Sequence, residues 1–246
     1  MKKLVGYITA SLPENNFTID LALSMKESGV DILELGIPFS DPVADGPVIE
    51  KANLIALESG FKLKDLFEVS SKIAPEIRTL WMGYANPFYH FGAEKFFAKA
   101  QELGIKGAII PDLPLEEAIK YNKLAAHYEQ SIISFVAPTH SENRIKKVVE
   151  HSKEFVYMVA YAGITGSGQE EDLSDIIDNV RKYTKTPLYI GFGVDEKTAK
   201  AKAKNVDGVI VGSTFVKHLI DSSLSNSEKI QRITTAAKEI KEKINE

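Results

Sequence analysis

The stretch Asp31-Ile-Leu-Glu-Leu-Gly-Ile-Pro-Phe-Ser-Asp-Pro-Val-Ala-Asp-Gly-Pro47 passes from a β-strand pattern into a stiff turn and carries an acid in each part. In a strand Ile32, Glu34 and Gly36 share one face and Leu33, Leu35 and Ile37 the other, so Glu34 points where an apolar residue is expected. A carboxylate there needs a partner, an elevated pKa that keeps its proton, or a chemical task. The loop that follows is confined by Pro42, Gly46 and Pro47 and holds Asp45 with little backbone freedom.

Outward from this stretch, short apolar runs alternate with longer segments of helical period. Strand patterns fall at 4–10, 32–37, 79–83, 108–111, 132–136, 155–160, 188–191 and 209–212. Helical patterns include 17–28, 48–59, 93–103, 115–129, 173–183 and 197–204, several of them closing at a glycine (Gly29, Gly60, Gly104). Ile230, Ile233, Ala237, Ile240 and Ile244 repeat at helix spacing near the C-terminus. Strand–helix alternation implies a parallel sheet, and about eight such units favour closure into a (β/α)8 TIM barrel spanning 1–246 as a single domain. The competing architecture is an open doubly wound sheet. It lacks its main support, because no G-x-G-x-x-G turn follows the first strand.

With 246 residues, 44% apolar and 26% charged, the chain has the size and composition of a globular α/β barrel. A net charge of −4 argues against a nucleic-acid surface, and no run approaches the ~18 apolar residues of a membrane span. There is no cysteine, which excludes disulfides, thiolate metal sites and a Cys nucleophile. None of the five histidines has metal-ligand spacing. The apolar run after Met1-Lys2-Lys3 breaks within a few residues, so no signal peptide is expected and the cytoplasm is the expected location.

Barrel chemistry gathers at the C-terminal ends of strands and in the loops that follow. Glu34, Asp45, Asp112, Tyr157 and the segment Thr165-Gly166-Ser167-Gly168 occupy such positions. An ion pair for Glu34 is disfavoured, since Lys and Arg are absent from the strand interiors and occur only at the opposite ends, as at Arg78 and Lys106. Asp45 could instead be a turn residue or a helix N-cap; Asp41, before Pro42, has the same bland reading with more weight. Two acids at one barrel mouth suit acid–base work, one protonated and one ionised near neutral pH. Strands seven and eight end in Gly191-Phe192-Gly193-Val194 and Val211-Gly212-Ser213-Thr214, each expected to run straight into a helix, which suggests a phosphate site; the alternative is that glycine merely ends a strand. The glycine-rich loop 165–172 has the composition of a lid or of an idle surface loop.

Residues 33–47 match without a gap the signature LELG-[apolar]-PFSDP-x-ADGP, and Tyr84-Ala85-Asn86, Asp112 with Pro114, Gly163-Ile164-Thr165-Gly166, Gly191-Phe192-Gly193 and Gly212-Ser213 extend the agreement along nearly the whole chain. In these motifs the sequence resembles the tryptophan synthase α-subunit family. The resemblance implies retro-aldol cleavage of indole-3-glycerol phosphate to indole and glyceraldehyde 3-phosphate, without a cofactor. It assigns catalysis to Glu34 and Asp45, an orienting role to Tyr157, and the indole pocket to Tyr7, Ile49, Met82, Val136 and Phe192. Gly166, Gly193, Gly212 and Ser213 would hold the phosphate, and Thr165 would close with the lid. Asp41, Pro42, Asn86, Pro87 and Phe88 would face a β subunit in an α2β2 heterotetramer. Other readings remain: a stand-alone indole lyase that needs no partner, another phosphosugar barrel enzyme that uses an acid pair, and an inactive barrel kept to bind and activate a β subunit.

Overall fold

The computed structural model describes residues 1–160 and 173–246; the expected lid at 165–172, with Thr165 and Gly166, lies outside them. The strands are β1 (Lys3–Thr9), β2 (Ile32–Gly36), β3 (Arg78–Met82), β4 (Ala108–Ile109), β5 (Ser134–Val136), β6 (Val156–Val159), β7 (Leu188–Gly191) and β8 (Gly208–Val211). The helices are α1 (Asn15–Glu27), α2 (Pro47–Glu58), α3 (Leu63–Ile73), α4 (Ala85–Phe91), α5 (Ala93–Glu102), α6 (Leu115–His127), α7 (Glu142–Val149), α8 (Ser174–Tyr183), α9 (Ala199–Lys202), α10 (Ser213–Leu219) and α11 (Asn226–Lys243).

The eight strands pair in parallel in the order β4-β3-β2-β1-β8-β7-β6-β5. The two ends of that ribbon meet: Ala108 bridges Ile132, with the Ala108 amide donating to the Ser131 carbonyl and the Ile133 amide to the Ala108 carbonyl, both at 2.9 Å. The sheet is therefore a closed barrel, as expected. The seam needs a glycine beside it, because a Cβ on Gly107 would lie 2.7 Å from the Ser131 carbonyl oxygen. At this seam the expected strands at 108–111 and 132–136 shorten to β4 and β5, since only one bridge continues the ladder.

The barrel interior is filled by large side chains set over glycines on neighbouring strands. A Cβ on Gly36 would meet the Tyr7 hydroxyl at 2.2 Å, one on Gly191 the Tyr157 hydroxyl at 2.3 Å, and one on Gly208 the Tyr189 ring at 2.9 Å. Alternating bulk in this way lets layers of side chains close the barrel without clash. Outside, the helices bury apolar stripes such as Leu66, Val69 and Ile73 of α3, and Ile233, Ala237 and Ile240 of α11, against the sheet and each other. α11 starts with a capping box, in which Ser225 accepts from the Glu228 amide and Glu228 accepts from the Ser225 amide. Among the described residues no helix is long and apolar enough to cross a membrane.

One expectation about chain direction is corrected. β8 does run directly into α10, but β7 does not run into a helix: residues 192–198 form a turn before α9. Asp195 dictates that turn, its Oδ1 accepting from the Lys197 and Thr198 amides at 2.8 Å each.

Candidate functional site

The site sits at the C-terminal mouth of the barrel, where β2 delivers Glu34 inward. Glu34 pairs in register with Tyr7 of β1 and Leu80 of β3, and the whole of β2 is buried. Glu34 is 3% exposed, and its Oε1 has no hydrogen-bond partner among the described residues. Burial is the main cause that pushes its pKa up to about 8; the nearby Asp45 charge adds to it. At neutral pH Glu34 is thus a protonated acid with an unclaimed oxygen. No ion pair reaches it among the described residues, in keeping with strand interiors that carry no Lys or Arg: Lys3 and Arg78 stand at the first positions of β1 and β3.

Asp45 lies in the turn between β2 and α2. The N-cap of α2 is Gly46, with Pro47 at the first helical position, so Asp45 does not cap the helix. Burial raises its pKa to about 6, and hydrogen bonds from Tyr84 and Asn53 pull against that rise, the Asn53 amide nitrogen lying 3.4 Å from Oδ2. The two acids therefore differ in charge at pH 7: Asp45 is mostly ionised where Glu34 is not.

Both acids line a cavity of about 730 Å³. Tyr7, Ile49, Met82, Tyr157, Phe192, Gly193, Gly212 and Ser213, all expected at the site, line it with them. Val136 does not. It is fully buried, and its neighbour Phe135 lines the cavity in its place, with its ring centroid 5.0 Å from that of Tyr157. Successive strand residues point to opposite faces, so the expectation was one residue out of phase. Tyr157 is buried beside Glu34 but shares no hydrogen bond with it, so it does not fix the acid's orientation here. Burial raises the pKa of Tyr7 and of Tyr157, which keeps both phenols neutral.

The far side of the cavity is built from backbone. Phe192 and Gly193 both adopt positive φ, 74° and 67°, which folds the β7 loop toward the cavity and leaves the Phe192 ring 40% exposed at the mouth. Thr214 in the first turn of α10 donates to the Val194 carbonyl at 3.1 Å, tying the two loops together. The N-terminus of α10, at Gly212, Ser213 and Thr214, opens onto the same cavity. Gly212 is packed closely enough that a Cβ there would lie 3.2 Å from Ile49 Cδ1. A second cleft of about 480 Å³, lined by Glu196, His218 and Arg232, contains neither acid.

Of the residues expected to face a partner, Asp41 and Asn86 are exposed and Pro87 is half-buried. Pro42 and Phe88 are buried within the chain, Phe88 among Phe96, Phe97 and Tyr121, which corrects their assignment as contact residues. Sequence reasoning gave no role to Tyr84, Asn53 or Phe135. Asn53 did carry a signal, as a polar residue on the buried face that α2 otherwise makes from Ala52 and Ala56. Asp112, shortlisted for its place after strand four, accepts from the Ala85 amide at 2.8 Å and fastens the start of α4. Among the described residues no cluster of His, Asp and Glu is arranged to hold a metal ion.

A family model described as tryptophan synthase alpha chain matches residues 1–245. The tryptophan synthase alpha chain of Wolinella succinogenes is 55% identical over 246 residues, covering 100% of this chain and 96% of that one. Among solved structures, the tryptophan synthase subunit alpha from Campylobacter jejuni superposes with a TM-score of 0.86 at 34% identity, over 97% of this chain and 95% of that one. A structure of Mycobacterium tuberculosis tryptophan synthase does so with a TM-score of 0.88 at 30% identity, over 99% and 92%.

Proposed function

Because the chain belongs to the tryptophan synthase alpha chain family, we propose that it cleaves indole-3-glycerol phosphate to indole and glyceraldehyde 3-phosphate. One observation carries this reading: Glu34, buried and with Oε1 unpartnered among the described residues, lines one cavity with Asp45, and burial pushes the pKa of Glu34 up to about 8 against about 6 for Asp45. Indole is a poor carbanion leaving group, so its C3 is protonated before the side-chain bond breaks. Glu34 gives that proton, and the positive charge that develops at the ring nitrogen is stabilised by Asp45. The carboxylate left on Glu34 then takes the proton of the glycerol hydroxyl next to the breaking bond. That oxygen becomes the aldehyde carbonyl, the bonding pair returns to the ring, and Glu34 ends protonated as it began.

The phosphate is assigned to the β7 and β8 loops, where glycine admits a close backbone approach and the α10 N-terminus favours an anion. The apolar floor around Ile49, Met82 and Phe135 suits the indole ring. A β subunit that receives the indole, in an α2β2 assembly in the cytoplasm, completes the proposal; exposed Asp41 and Asn86 mark the contact face.

The test is indole release from indole-3-glycerol phosphate by wild type, Glu34→Gln and Asp45→Asn, with and without a β subunit. Glu34→Gln is expected to lose roughly 10² or more in kcat, the scale of a lost general acid–base. Near-normal turnover in that variant would sink the assignment.

A further inference from the structure

Asp45 has no cation to keep it charged: among the described residues no ion pair includes it. Its support comes from uncharged donors, foremost the phenol of Tyr84, which follows β3 at the entry to α4. Tyr84 is 2% exposed, and its ring stacks on Phe39 at 5.3 Å with an interplanar angle of 27°. Its oxygen accepts from the Ala44 amide at 3.1 Å. A phenol has one proton to give. With the Ala44 N–H on the acceptor side, the phenol proton is left free for the carboxylate of Asp45, the residue that follows Ala44, and a hydrogen bond from the phenol lowers the pKa of that acid. The following residue is anchored too, since Ala85 is held by Asp112. Tyr84 is thus fixed by its ring, by its oxygen and by the backbone that follows it.

We propose that Tyr84 is the positioning residue of Asp45: braced on Phe39 and oriented by the Ala44 amide, its hydroxyl holds the Asp45 carboxylate in place in the cavity and favours its ionised form. This rests on the role given to Asp45 above. The other titratable groups acting around the pair are Glu34 on β2, Tyr7 on β1, Tyr157 on β6 and Asp112 after β4. None is a cation that could take over if the phenol were lost.

The experiment is Tyr84→Phe, which keeps the ring and removes the proton. Carbon-13 NMR titration of the aspartate carboxyls, with the Asp45 signal assigned through Asp45→Asn, reads the acid directly and independently of any reaction. Its midpoint should rise by about one pH unit, as expected for a lost hydrogen bond to the charged form. The acidic limb of kcat/KM should move up with it, from near 6 in the wild type, while kcat on the plateau stays within a few-fold. Phe39→Leu is the packing control, because it disturbs the stack but leaves the hydroxyl, and it should raise the Asp45 midpoint by less than Tyr84→Phe does. An unchanged Asp45 midpoint in Tyr84→Phe, or an equal rise in Phe39→Leu, overturns the proposal. A midpoint that rises while the kinetic limb stays fixed upholds Tyr84 as the positioning residue and overturns the catalytic role of Asp45.

Discussion

On the β2 side of the cavity the candidate chemistry rests on two side chains, Glu34 and Asp45, whereas on the β7–β8 side it rests on backbone at Gly193, Gly212 and the first turn of α10. The acids are made unusual by removal of water and by fixed donors: burial raises both, and Tyr84 and Asn53 restrain only one. The opposite wall needs close approach, and its important groups are atoms that are missing. The two walls should therefore fail differently. An isosteric change of charge disables the first, while only added atoms disable the second.

The sharpest break of this contrast is Gly212→Asp. It adds bulk 3.2 Å from Ile49 and a negative charge beside the α10 N-terminus. KM for indole-3-glycerol phosphate should rise roughly 10- to 100-fold, about 1.4 to 2.8 kcal/mol of lost binding, with kcat little changed. An unaltered KM would move the phosphate elsewhere.

The acid wall has a counterpart in stability. Glu34 has a folded pKa near 8, above the ordinary 4.5, so its contribution to folding is whole below 4.5 and is lost as pH rises through 8. Gln carries no such dependence. Glu34→Gln should gain on the wild type between pH 4.5 and 8 by at most roughly 1.4 kcal/mol per pH unit, then level off. Denaturant midpoints at pH 5, 7 and 9 check this, and a gain that shrinks as pH rises would show that Glu34 is charged in the folded protein.

The smallest expected effect separates two neighbours on β5. Phe135→Ala should raise KM a few-fold by removing cavity wall, while Val136→Ala should cost roughly 1–3 kcal/mol of stability through a core void and leave KM alone. The reverse pattern would reinstate Val136 as pocket wall.

Glu34 and Asp45 were legible because each breaks a local rule: an acid on a buried strand, and an acid in a turn too confined to be idle. Gly193 and Gly212 were legible through their place at strand ends. Val136 misled because an inner barrel strand is apolar on both faces, so alternation gives no phase. Pro42 and Phe88 misled because motif proximity to a partner surface says nothing about which side chain turns inward; for Phe88 the aromatic packing under α4 decides that. Tyr84 stood in a quoted motif, yet its task depends on Ala44 and Phe39 from another loop, a contact sequence spacing does not encode.

The meeting of β4 and β5 has a meaning beyond closure. Every other neighbouring pair of strands is joined by at least two registered residue pairs, but this one is joined by Ala108 and Ile132 alone. The barrel is thus a ribbon of two four-strand halves, stitched firmly in the middle, where β1 lies on β8, and fastened at its free edges by a single clasp. Local opening is cheapest where the ladder is thinnest, so amide exchange within the ring is expected to be fastest at this clasp.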